Sequence, residues 1–200
     1  MKSRREFLQI GVAALALPIA SRGAFASSAV LGEPATTPLY KVIFDERFAT
    51  SVAFSREASR LGAPVHGIKG DITDLWFHDL YARWKQGPAA IAGLTGHGAI
   101  FCLERLAWDQ GMRVVFRGEH KHLSGGQIEH ALSGPESMVR RAARLDSNGP
   151  EWASLMANVV TRCHAGRAEV FQTTVSAPAA RHATDSEDLI SWVIAPVQRA

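Results

Sequence analysis

The chain has 200 residues, of which 46% are hydrophobic and 20% charged, and it carries a formal net charge of +3 with a pI near 9.1. This composition is usual for a folded domain and excludes wholesale disorder. The length suits one domain with a sizeable core.

The first 26 residues have the layout of an export signal. A basic start precedes an apolar stretch from Ile10 to Ala20 and a small-residue ending, Ala24-Phe25-Ala26, so cleavage is expected after Ala26. The apolar stretch is shorter than the ~20 residues of a membrane anchor, and no stable anchor is expected after cleavage. Cleavage would remove four of the 22 basic and one of the 19 acidic residues, which leaves a neutral chain and no electrostatic argument for nucleic-acid binding.

The segment Ser3-Arg4-Arg5-Glu6-Phe7-Leu8-Gln9 resembles the twin-arginine (Tat) signal of bacterial exported proteins. Six of its seven positions match the usual pattern S/T-R-R-x-F-L-K, and Gln9 departs from it. Arg22 fits as well, because a basic residue near the cleavage site disfavours the general export route. The resemblance implies a folded protein that the Tat translocase delivers to the periplasm. Many such proteins carry a cofactor or travel with a partner that does.

Residues 27–38 are small, polar and proline-containing, which predicts a flexible leader before a single α/β domain over 39–200. Strands and helices then alternate. Strands are predicted over 39–46, 63–68, 89–94 and 112–120, and helices over 51–62, 71–87 and 98–111. Because this alternation implies right-handed crossovers, the sequence predicts a Rossmann-like three-layer sandwich with a mostly parallel sheet.

The last third of the chain departs from the alternation and predicts an α+β extension. Helices are predicted over 126–147 and 150–166, and strands over 168–177 and 189–196. The two strands could extend the sheet or pair with each other as a hairpin at its edge.

The predicted ligand-binding residues lie between the third strand and the third helix. They are Thr95, Gly96, His97 and Gly98. Backbone N–H groups and the dipole at a helix N-terminus attract a carboxylate or phosphate, and ligands of open α/β sheets bind beyond the carboxyl ends of strands. The order G-x-x-G-x-G matches no nucleotide-binding fingerprint. A turn that needs glycine for steric reasons is the competing interpretation.

His120 and His122 are the candidate metal ligands. Residues two apart share one face of a strand, and a His-x-His pair with a nearby carboxylate can bind zinc or another borderline metal. Glu119, Glu129 and His130 lie close in sequence, but no recognised spacing fixes a third ligand.

The sequence therefore predicts a periplasmic protein that binds a small anion at the edge of its sheet and serves an exported redox system. One alternative is an enzyme that uses His97 with Asp45 or Glu119 as acid and base, with or without a metal ion. Another is an accessory subunit co-exported with a cofactor-bearing oxidoreductase. No motif identifies a cofactor.

Cys102 and Cys163 are the only cysteines. An oxidising compartment permits a disulfide between them. Two buried thiols are the alternative, because Cys102 lies in an apolar helical segment.

Overall fold

The computed structural model describes residues 37–124, 126–147, 151–163, 169–178 and 188–196. The export signal predicted over 1–26 and nearly all of the predicted leader lie outside these residues. Within the described ranges, no helix is long and apolar enough to cross a membrane.

The described chain forms seven strands and six α-helices. The strands are β1 (Leu39–Asp45), β2 (Val65–Ile68), β3 (Ala90–Gly96), β4 (Met112–Leu123), β5 (Gln127–Pro135), β6 (Val170–Pro178) and β7 (Leu189–Pro196). The helices are α1 (Ala49–Arg60), α2 (Thr73–Leu75), α3 (Tyr81–Lys85), α4 (His97–Trp108), α5 (Glu136–Ala142) and α6 (Trp152–Thr161). A π-helical turn (Trp76–Leu80) joins α2 to α3, and a 3-10 turn (Ala143–Ser147) follows α5.

All seven strands belong to one mixed sheet with the order β2-β1-β3-β7-β4-β5-β6. β1 pairs in parallel with β2 and β3, whereas the pairings β3–β7, β7–β4, β4–β5 and β5–β6 are antiparallel. The predicted α/β class is confirmed. The prediction of a mostly parallel, Rossmann-like sheet is wrong, because only the β2-β1-β3 part of the sheet is parallel.

β7 accounts for most of this difference. It lies between β3 and β4 and runs antiparallel to both, so it occupies the centre of the sheet rather than an edge. Its first seven residues are all buried. A continuously apolar strand suits this position, because helices cover both faces there. β3 and β4 point the same way, as expected, but they are not neighbours.

β5 replaces the first part of the helix predicted over 126–147. Buried Ile128, His130 and Leu132 alternate with partly exposed residues, which is the two-residue period of a strand. The helix begins only at Glu136, after Pro135. β4 and β5 form a long hairpin in which His120 lies opposite His130.

Two hydrophobic cores lie on opposite faces of the sheet. The first contains Val42 with residues of α1, α5 and α6, and we call this side the α6 face. The second contains Ile43 with residues of the π-helical turn, α3 and α4, and we call this side the α4 face. Because consecutive strand residues point to opposite faces, these two residues assign each core to its side.

The glycines around the end of β3 meet different surroundings. A Cβ atom at Gly93 would lie 2.4 Å from the carbonyl oxygen of Ile43 and 2.6 Å from the ring of Trp192. At Gly98, in the first turn of α4, nothing lies within 4 Å of that position. Close packing therefore requires glycine at position 93 and not at position 98.

Alanine substitutions test this difference. Gly93→Ala is expected to lower the free energy of unfolding by about 3 kcal/mol, because a backbone oxygen in the sheet cannot move aside. Gly98→Ala is expected to leave it unchanged or raise it by up to about 1 kcal/mol, because alanine is the better helix former. Urea unfolding of both variants measures the two values, and equal effects would contradict the assignment.

Candidate functional site

The carboxyl ends of β1 and β3 form a topological switch point. These strands are parallel neighbours, and each is followed directly by a helix. α1 packs on the α6 face, whereas α4 packs on the α4 face. Where adjacent strands send their following helices to opposite faces, a crevice opens beyond the strand ends, and ligands of α/β proteins bind there.

Asp45, the last residue of β1, has a fully buried carboxylate that binds Arg47. The Nε of Arg47 donates to Oδ1 at 2.9 Å and Nη2 donates to Oδ2 at 2.8 Å, in a bidentate pair. The Arg47 side chain is 46% exposed and stacks on the ring of Phe48. The predicted catalytic candidate Asp45 therefore holds a cation at the carboxyl edge of the sheet.

Buried hydroxyl groups connect the elements beneath the crevice. The N–H of Asp45 donates to Ser51 Oγ at 2.9 Å, and that hydroxyl donates to the carbonyl of Leu94 at 2.5 Å. The indole N–H of Trp192, on β7, donates to Oγ1 of Thr95, on β3, at 3.1 Å. Thr95 is fully buried, so its side chain packs inside the protein near the end of β3 and does not face solvent.

The N-terminus of α4 presents backbone groups to this edge. Its N-cap, Gly96, has no side chain that could cap the helix, and the first turn contains no acidic residue. His97 and Gly98 are exposed, and the ring of His97 stacks on Phe101 with 6.1 Å between centroids. The positive end of the helix dipole is thus not compensated by a side chain, which favours a bound anion.

Glu119 lies apart from the other acid–base candidates. Thr95 and Glu119 are both paired with Ile190, on opposite sides of β7. Because neighbouring strands are about 4.8 Å apart, Glu119 is roughly 10 Å from Thr95, and β1 with Asp45 is one strand further away. Burial alone would raise the pKa of Glu119, but Arg117 and Lys121 lower it by hydrogen bonding and charge.

Glu119 belongs instead to an open groove on the β4-β5-β6 half of the sheet. This groove has a volume of about 380 Å³. It is lined by Arg117, Glu119, Ala131, Leu132, Ser133, Gln172, Thr173 and Thr174. Arg117 pairs with Glu119 at 3.1 Å and contacts Glu104 at 3.9 Å, so the acid is already part of an ion-pair network.

His120 lies on the opposite face from Glu119 and forms part of a buried polar chain. Its Nε2 is 2.9 Å from Ser191 Oγ, and its Nδ1 is 2.7 Å from Nδ1 of His130. Trp152 of α6 covers both imidazoles, with ring centroids 4.2 Å and 5.2 Å away. A Cβ atom at Gly118 would lie 2.6 Å from Ser191 Oγ, so glycine leaves the space that the hydroxyl occupies.

The imidazoles of His120 and His130 are both neutral at pH 7. Burial lowers the pKa of His120 well below its usual value, and the charges of His130 and His122 lower it further. Burial lowers the pKa of His130 to about 4, with a smaller contribution from His122. Nε2 of His130 is buried and has no hydrogen-bond partner within the described residues.

The connectivity from Ser191 through His120 to His130 resembles that of a nucleophile, its base and an orienting group. Ser191, however, is fully buried in the central strand, so a substrate carbonyl cannot reach its hydroxyl. No sequence pattern marks Ser191 as a site residue, and no recognised spacing gives His130 a role. The alternation of buried residues in β5 is the signal that would have placed His130 beside His120.

The cysteines form no disulfide with each other. Both are free thiols: Cys102 is exposed on α4, and Cys163 is buried after α6. Burial raises the pKa of Cys163 to about 12. The prediction that Cys102 is buried is wrong, because α4 turns Ile100 and Leu103 toward the protein core instead.

The histidine pair predicts a pH-dependent stability, best measured in buffer with a chelator so that no metal ion competes for the imidazoles. The free energy of unfolding is expected to fall between about pH 6.5 and pH 4, because the unfolded chain binds protons that the folded chain excludes. His130 alone accounts for about 3 kcal/mol, from its shift between pKa 6.5 and about 4.

Urea unfolding at several pH values measures this dependence. His130→Gln is expected to reduce it and to leave the part that His120 contributes, whereas His78→Gln, at a histidine whose side chain is 79% exposed, is expected to behave like the unsubstituted protein. A slope that His130→Gln leaves unchanged would contradict the assignment.

No protein-family model matches the chain, and no curated protein or solved structure shows significant similarity to it.

Proposed function

We propose that the chain is an exported periplasmic protein that binds a small anion at the switch point between β1 and β3. One observation carries the proposal: α4 begins directly at the carboxyl end of β3, without a side-chain cap and without an acid in its first turn. Negatively charged groups are stabilised at such a helix end by the N–H groups and the dipole.

The charges around the crevice agree with an anionic ligand. The carboxylate of Asp45 is neutralised by Arg47, whose guanidinium lies beside Gly70, after β2. The side chain of Glu46 is directed toward β2, since its Oε1 would meet a Cβ atom at Gly67. A carboxylate or phosphate between β1 and β3 would therefore lie near the end of α4 on the other side of β1 from this acid.

The geometry favours binding over acid–base catalysis. Both carboxylates that could work with His97 are engaged in ion pairs, Asp45 with Arg47 and Glu119 with Arg117. Export to the periplasm and service to an exported redox system are supported by the resemblance of residues 3–9 to a twin-arginine signal.

We call the proposed anion-binding site at the N-terminus of α4 the anion seat. A charge substitution at Gly98 tests this site in the purified protein. This position has open space around it, so a side chain fits. Gly98→Asp is expected to weaken binding of phosphate or a small carboxylate at least tenfold, because its charge occupies the positive end of α4. Gly98→Asn adds a neutral side chain of the same shape and is expected to keep binding. Anion-induced shifts of the melting temperature provide the measurement.

The aspartate variant has a second expected property that separates binding from damage to the fold. Without added anion it should be as stable as the asparagine variant or more stable by up to about 1 kcal/mol, because an acid in the first turn stabilises a helix. If about 10 mM phosphate, acetate or succinate raises the melting temperature of neither the unsubstituted protein nor Gly98→Asn, the anion seat is wrong. Equal responses of the two variants would also exclude it.

A further inference from the structure

The histidine pair of β4 and β5 lies on the α6 face, and the proposed anion seat makes no use of it. Its Nδ1 atoms face each other at 2.7 Å, and a single proton joins them. His120 is 1% exposed and His130 is fully buried. Neutral imidazole nitrogens that converge in this way are the donors that zinc and similar ions prefer.

We propose that His120 and His130 form the base of a transition-metal site that His122 completes, for a borderline ion such as Zn²⁺. The sheet register supports this set. His120 and His130 are directly opposed, and His122 follows two residues later, on the same face and opposite Ile128. Side chains on directly and diagonally opposed positions of an antiparallel pair lie about 5 and 7–8 Å apart, within reach of a shared ion.

His122 is the ligand that has to move. It is half-buried and lies two residues after His120, on the same face of β4. Within the described part of the chain, no three His, Cys, Asp or Glu side chains stand together at ligand distance. Rotation of the His122 ring inward would supply the third nitrogen, and its partly open position gives an ion a route to the buried pair.

Ser191 prepares His120 for this role. Its hydroxyl donates to the carbonyl of Gly118 at 3.4 Å, which leaves the oxygen free to accept from Nε2–H of His120 at 2.9 Å. In that tautomer Nδ1 of His120 carries a lone pair. Histidine ligands of metal ions usually donate their second N–H to such a partner, which fixes the ring.

The pair has to open and turn to accept an ion. Zinc–nitrogen distances of about 2.0–2.1 Å and a tetrahedral angle place two ligand nitrogens about 3.3 Å apart, so the rings would separate by roughly 0.6 Å, and each ring would turn so that its Nδ1 points at the ion rather than at the other ring. The proton that joins the pair leaves Nδ1 of His130 and moves to Nε2 of the same ring. That is the atom with no partner now. Both Nδ1 lone pairs then face the ion.

Zinc titration of the purified protein against a chromophoric chelator tests the site. One Zn²⁺ per chain is expected, and His122→Gln and His130→Gln should each weaken binding at least tenfold. His78→Gln, on an exposed histidine of the α2–α3 segment, is the matched control and should bind as the unsubstituted protein does. Co²⁺ in place of Zn²⁺ should give the visible absorption of a tetrahedral nitrogen site.

His122→Gln keeps the test decisive if His130→Gln fails to fold, because His122 is only half-buried and circular dichroism can verify the fold. Absence of zinc binding, or binding that His122→Gln and His78→Gln weaken equally, would overturn the proposal. Anion binding at α4 uses the other face of the sheet, so a failure of either proposal leaves the other measurable.

Discussion

The pairing of β7 with β3 and β4 holds the two halves of the sheet together. Without it, the parallel strands β2, β1 and β3 and the antiparallel strands β4, β5 and β6 have no hydrogen bonds in common. β7 joins the two groups through two antiparallel ladders and buries its apolar side chains in both cores. The parallel part then provides the switch point between β1 and β3, and the hairpin of β4 and β5 provides the buried histidine pair.

Two consecutive residues of β7 show how one strand supports both regions. Trp192 points to the α4 face, where its indole N–H reaches Thr95 under the proposed anion seat. Ser191 points to the α6 face, where its hydroxyl meets His120. Because neighbouring strand residues alternate between faces, the two regions are separated by the thickness of the sheet and are supported by the same backbone. Gly93 and Gly118, on the strands either side, leave room for these two side chains.

Local patterns in the sequence predict the elements better than they predict their arrangement. The first four predicted strands and the three helices between them are close to the observed ones. Each of these elements depends on periodicity and on glycine or proline at its ends. These strands are the ones predicted over 39–46, 63–68, 89–94 and 112–120. β5 was accessible to the same reasoning, since Ile128, His130 and Leu132 alternate. The position of β7 was not, because an apolar strand carries no local record of which neighbours it will pair with.

The candidate residues divide in the same way. His97 and Gly98 lie at a strand–helix junction, and that junction is visible in sequence. The ion pair of Asp45 with Arg47 and the contact of Ser191 with His120 depend on side-chain packing across β1, β4 and β7.

The central place of β7 also bears on how the chain reaches this fold. Residues 189–196 pair with strands that lie roughly 70–100 positions earlier, so β3 and β4 both remain open edges until these residues have been synthesised. Folding thus depends on a late, long-range contact, which slows it and leaves two open strand edges able to bind other chains in the meantime.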